Sequence, residues 1–136
     1  MLRRWGWATG LLAIGYAIGT AAGFATFYIG IVTMWLTIML LMPILFAALA
    51  VAYLRRLRCP PGRAGVEMAG LIGYWVVLSF LLDALTYVFT LPHVLHIPPN
   101  WGFFEDQSPW IWLSYASLCV SGAVAVAMYR RSPHGR

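Results

Sequence analysis

Between Arg4 and Arg55 the chain carries no charged residue. A bilayer core of about 30 Å takes roughly 20 helical residues to cross. The uncharged stretch from Trp5 to Leu54 therefore has room for two spans and a tight turn. A soluble chain of this size cannot absorb such a stretch. The 136 residues are 62% hydrophobic and 10% charged, whereas an average soluble domain is about 45–50% apolar and about 25% charged. Small domains also bury the least of the surface they expose. Disorder and a disulfide scaffold fall with the soluble reading, which leaves an integral membrane protein.

A turn near Tyr28–Gly30 predicts a first helix over Trp5–Phe27 and a second over Ile31–Leu54. Two further apolar runs predict spans at Met68–Leu91 and Pro109–Tyr129. Lipid offers the backbone no hydrogen-bond partner outside helices and closed barrels, and a barrel needs short alternating segments that this chain lacks. The expected fold is all-α: one four-helix antiparallel transmembrane bundle filling residues 1–136.

All nine basic residues are arginines, grouped as Arg3 and Arg4, then Arg55, Arg56, Arg58 and Arg63, then Arg130, Arg131 and Arg136. An even number of spans puts the three clusters on one side, with Glu105 and Asp106 on the other. The positive-inside rule then places both termini and the Arg55–Val66 loop in the cytoplasm of a bacterial-type inner membrane. A basic rim of this kind also favours anionic lipid headgroups. It does not point to nucleic acid, since the arginines carry no interleaved stacking platform. The start of the chain, from Arg3-Arg4 to Thr20-Ala21-Ala22-Gly23, also has the outline of a secretory signal. The apolar run continues past that small-residue site, so the segment is read as a span; cleavage there would leave three spans in the same orientation.

Helices do not associate in lipid through the hydrophobic effect, so close packing and polar contacts must hold them. Gly15, Gly19 and Gly23 form one small-residue face on the first helix, suited to packing within the chain or to a homodimer. Gly65, Ala69 and Gly73 repeat the spacing on the third helix, and Cys119, Ala123 and Ala127 on the fourth. Cys59 belongs to a loop and Cys119 to a span, so no disulfide is expected. For the fourth helix, Ser108 is the expected cap and Pro109 the first residue, with Glu105 and Asp106 just before the positive end of its dipole. Tyr28, Trp101, Phe103, Phe104, Trp110 and Trp112 mark the outer interface.

Asp83 is the acid expected at depth within a span, where ionisable groups face the bundle interior; it reads either as an ion or proton site or as a neutral, hydrogen-bonded packing residue. It lies about eight residues, or roughly 12 Å, below the outer end. Pro43 frees the carbonyl of Met39, and Met39, Thr20 and Ser117 share that depth, predicting a polar layer. Asp83, Thr86, Tyr87 and Thr90 recur at spacings of three and four, which predicts a polar lane along one face toward His93. His93 and His96, with Glu105 or Asp106, are candidate metal ligands, although Pro92 and Pro98 flank the pair. Neither histidine lies within a span, which argues against haem, and no phosphate loop, nucleophile elbow or zinc-protease motif occurs. No cofactor is expected.

Three functions fit this pattern. The first is binding or transport of a small cationic or proton-coupled solute through Asp83. Small multidrug transporters also have four short spans and one membrane carboxylate, but theirs is on the first helix, and no motif is shared. The second is an accessory subunit packing on a larger membrane partner. The third is a lipid-modifying enzyme using His93, His96, Glu105 and Asp106 at the outer interface.

Overall fold

A computed structural model describes residues 2–132 of the chain. His134 and Arg136 lie outside them. The described residues are all-helical, without strands, and four helices are long and apolar enough to cross a membrane. Helix α1 is Leu2–Phe27 and α2 is Ile31–Leu57. The third long helix runs from Ala64 to Val94 in three registers: α3 (Ala64–Asp83), a π-helical segment (Ala84–Thr90) and the single turn α4 (Leu91–Val94). A short helix α5 (Phe103–Asp106) precedes α6 (Trp110–Arg131).

The first turn falls where the sequence placed it. Gly30 sits at φ 154°, ψ 149°, a region open essentially to glycine alone, and this lets α2 start with only three residues between it and α1. The start of α6 is a correction. Pro109 occupies the cap position, no side chain caps the helix, and Ser108 has no capping role. Glu105 and Asp106 belong to the first turn of α5 instead.

The glycine face of α1 meets α2. A methyl group added to Gly19 would lie 2.5 Å from Sδ and Cε of Met42, and one on Gly15 would lie 2.8 Å from the Phe46 ring. The small residues expected to pack on the other helices do not do so within the chain. Ala69, Gly73, Cys119, Ala123 and Ala127 are exposed, and α6 buries a different face, with Leu118, Ala125 and Tyr129 in the core and Gly122 against Ile72 and Met68 of α3. Two overlapping four-residue repeats fit α6, and spacing alone does not say which one faces inward.

At Gly122 an added Cβ would approach Cγ1 of Ile72 to 2.6 Å, with Cγ of Met68 at 3.3 Å. Ile72 Cγ1 is close to the backbone and cannot swing aside as the end of Met42 can. Gly122→Ala should therefore destabilise the bundle by about 1–3 kcal/mol, the usual range for overpacking, and by more than Gly19→Ala. Thermal melts of both variants in detergent check the ranking.

Polar contacts close one end of the bundle. The Arg4 guanidinium donates to the buried Tyr53 hydroxyl at 3.0 Å and pairs with Glu67. Tyr129 donates to the Cys59 carbonyl at 2.6 Å, and Arg130 reaches the Pro61 carbonyl at 3.3 Å. Arg4 and Arg130, from the first and last arginine clusters, thus bond to residues on either side of the second cluster's loop and within it. Both cysteines are free, with Cys59 buried and Cys119 exposed. Burial pushes the Cys59 thiol above its ordinary range, and nearby Glu67 adds to this against Arg4 and Arg63. Since the thiolate is the nucleophile, Cys59 should react slowly with maleimide at neutral pH. The rate should climb only above the normal thiol range, and unfolding should abolish the protection.

Deeper in, Trp75 is fully buried and donates from Nε1 to the Ala8 carbonyl at 2.9 Å. Its ring meets Phe46 edge-on at 5.4 Å. This single side chain joins α3 to α1 and α2.

Candidate functional site

Beyond Trp75, toward the end that carries Glu105 and Asp106, the helices enclose a cavity of about 390 Å³. Asp83, the last residue of α3, lies in its wall. Tyr16 of α1 donates to one carboxylate oxygen at 2.6 Å and Tyr115 of α6 donates to the other at 2.6 Å. One acid therefore links three helices, with each oxygen accepting one phenol. A carboxylate accepts at two oxygens and donates at neither, so the two tyrosines match it without competing.

The rest of the lining is largely aromatic and aliphatic, including Phe24, Phe27, Trp35, Phe46, Tyr87 and Phe103. Thr20, Ser79, Gln107 and Ser114 add short polar groups, and among the described residues no arginine or histidine lines the cavity. Asp83 is its only ionisable carboxylate. A carboxylate beside aromatic faces is chemically suited to a single positive charge on an apolar body.

Of the residues expected in one polar layer, Thr20 and Asp83 line the cavity, whereas Met39 and Ser117 do not. The Ser117 hydroxyl donates to the Ser114 carbonyl at 2.6 Å, a local bond within α6. Ser114, one turn nearer the acidic end, lines the cavity in its place. The polar lane divides because its spacing was counted on an α-helix. From Ala84 to Thr90 the bonding register is i→i+5, which turns successive side chains away from their α positions. Tyr87 stays beside Asp83 on the cavity wall, while Thr90 and His93 line a separate hollow with Phe89, Ile97 and Pro99. Thr86 is half-buried and lines neither.

The candidate metal ligands are not brought together. Among the described residues no three His, Cys, Asp or Glu side chains come close enough to hold an ion. His93 lies in α4, but His96 sits at φ 57° in the turn that follows, so the two do not share a helix face. Glu105 and Asp106 stand on α5.

The segment after α4 folds back over the cavity. Asn100 donates its backbone N–H to the Val88 carbonyl at 3.1 Å, within the π segment. The Phe103 ring stacks on Tyr87 at 4.8 Å and 7°, and Phe104 stacks on Phe80 at 4.8 Å. Trp35 stacks on Trp110 at 6.3 Å, joining α2 to the start of α6.

Tyr16 and Tyr115 were not singled out in the sequence. Tyrosine in a span reads as packing or as an interface residue, and only the three-dimensional meeting at Asp83 reveals the pair. No family model, characterised protein or solved structure matches the chain.

Proposed function

We propose that the chain is an antiparallel four-span bundle of a bacterial-type inner membrane that binds an organic cation at Asp83 and exchanges it for a proton. The observation that carries the reading is the Asp83 carboxylate, clasped by Tyr16 and Tyr115 in the wall of an apolar cavity that no basic residue lines. An intramembrane acid is costly and is kept at an ion or proton pathway. Among the described residues no arginine or histidine lines the site to pair with it, and a bound cation supplies that positive partner. In the cation-free protein a proton can take the cation's place on Asp83, one phenol then giving up its bond, and the arriving cation releases that proton.

The membrane orientation has separate support. The arginines gathered around Arg4, Cys59 and Arg130 lie at one end, and Glu105 and Asp106 at the other, which fits both termini on the cytoplasmic side. In a protein carrying Cys59→Ser and Cys119→Ser, a cysteine placed at Asn100 should be labelled from the periplasm and one at Arg63 should not. Reversed labelling would overturn the orientation.

Binding is tested with benzyltrimethylammonium on the purified protein. Trp35 lines the cavity, so saturable quenching or a spectral shift of its fluorescence is expected. No saturable change, with the fold intact by circular dichroism, would contradict the reading and favour an accessory subunit instead.

A further inference from the structure

Resting on that reading, we propose that the cavity takes a free amphiphilic monocation directly from the lipid, through a side opening between α1 and the helix of Asp83 toward the acidic end. The observation is that side-chain contacts span each of the other seams. Gly15, Gly19 and Gly23 seat α1 on Phe46, Met42 and Ile38 of α2. The Trp35–Trp110 stack joins α2 to α6, and Tyr115 joins α6 to α3 through Asp83 and the Phe80 ring. The stack of Phe103 on Tyr87 roofs the acidic end.

The seam between α1 and α3 differs along its length. From the basic end it is fastened by Arg4 with Glu67, Thr9 with Tyr74, Trp75 with Ala8, and finally Tyr16 with Asp83. Past Asp83 the two helices face each other across the cavity, with Gly19, Thr20 and Gly23 on one side and Tyr87 and Leu91 on the other. The rim there is apolar and uncovered: Phe24, Phe27, Ile31 and Leu91 are 52%, 50%, 51% and 40% exposed. A mouth opening to water would be rimmed by polar groups. This one presents to hydrocarbon what hydrocarbon solvates.

The occupant follows from the charge and the walls. A hydrated metal ion needs several oxygen ligands, and the only carboxylate in the lining is Asp83. A single ammonium on an apolar body matches both that carboxylate and the aromatic lining, and a volume near 390 Å³ lies in the range of small-molecule pockets. The opposite charge of Asp83 selects the head, and the apolar mouth selects the tail.

The ammonium could belong to a dissolved amphiphile or to a lipid headgroup, and one experiment separates them. Binding of octyltrimethylammonium, tetramethylammonium and the uncharged alkane with a tert-butyl head is measured in phosphatidylglycerol nanodiscs. The octyl compound should bind at least about a hundredfold tighter than tetramethylammonium, because its chain adds buried apolar surface. It should also bind at least about tenfold tighter than the alkane, which lacks the charge. Equal binding of the two ammonium compounds would overturn lateral entry while leaving cation binding at Asp83 standing. Failure of both ammonium compounds to bind would instead remove the proposed function itself. Adding phosphatidylethanolamine should leave the octyl affinity unchanged, and a tenfold loss would overturn the assignment to a free amphiphile.

Discussion

Replacing Asp83 with asparagine should remove cation binding while leaving the bundle folded. The amide keeps the size of the side chain, and its oxygen still accepts from one of the two tyrosines that the carboxylate holds at 2.6 Å. The amide nitrogen cannot accept from the other, and one buried donor left unpaired should lower stability by about 1–3 kcal/mol. The loss in binding is larger. Two unit charges about 4 Å apart interact by about 4 kcal/mol at an effective dielectric of about 20, so affinity for benzyltrimethylammonium should drop by about a hundredfold or more. Titration of both proteins and their melting temperatures give the two numbers. A variant that binds as well as the wild type would make Asp83 a structural residue.

The leucine variant separates the roles further. Considered as an isolated acid, Asp83 could be exchanged for leucine with little loss, because apolar replacement of a buried polar group is often neutral. The two phenols reverse that expectation. Asp83→Leu leaves both hydroxyls without their acceptor, and each orphaned buried donor costs about 1–3 kcal/mol. Adding Tyr16→Phe and Tyr115→Phe removes the orphaned donors, so the triple variant should recover most of the lost stability and still bind no cation.

A large loss of stability is also expected from Trp75→Ala. Trp75 is fully buried, meets Phe46 edge-on at 5.4 Å and donates to the Ala8 carbonyl at 2.9 Å. Large-to-small changes at such positions cost about 3–5 kcal/mol in soluble cores. Lipid lowers the transfer part of that cost, since tails are as apolar as the protein interior. The packing part remains, and a void between three helices cannot close without moving all of them. Trp75→Phe keeps most of the volume and loses the hydrogen bond. It should therefore cost about 1 kcal/mol, well short of alanine. Melting curves that rank alanine and phenylalanine equally would show that the ring does not join these helices.

The coarse architecture was legible because two signals coincide: long uncharged runs and arginines confined to their ends. Gly30 marked the first turn for a reason local to the chain, the need for a backbone conformation open to glycine. Asp83 stood out because a charge within an apolar run is conspicuous anywhere. Its partners were not legible. Tyr16 and Tyr115 lie 67 and 32 positions away from it, and nothing local distinguishes them from tyrosines that only fill space. The π-helical register after Asp83 likewise has no sequence signature, so an α-helical count carried Thr90 and His93 toward a site they do not reach. Spacing also misassigned the face of α6, where Gly122 rather than Cys119, Ala123 or Ala127 meets α3. Glu67 was overlooked because it stands at the edge of an apolar run, where acids need no explanation until Arg4 is found beside it.

The central claim, that the Asp83 carboxylate is the group a cation meets, is tested most directly by carboxyl-carbon NMR of the protein labelled at aspartate. Asp83 and Asp106 are the two aspartates of the chain, so two resonances are expected, and Asp106→Asn assigns them. Benzyltrimethylammonium should shift the Asp83 resonance in a saturable way at the same concentrations that quench Trp35, and leave Asp106 in place. Neopentylbenzene, its uncharged isostere, should not reproduce the shift. An Asp83 resonance that stays still while the ammonium compound is shown to bind would contradict the account.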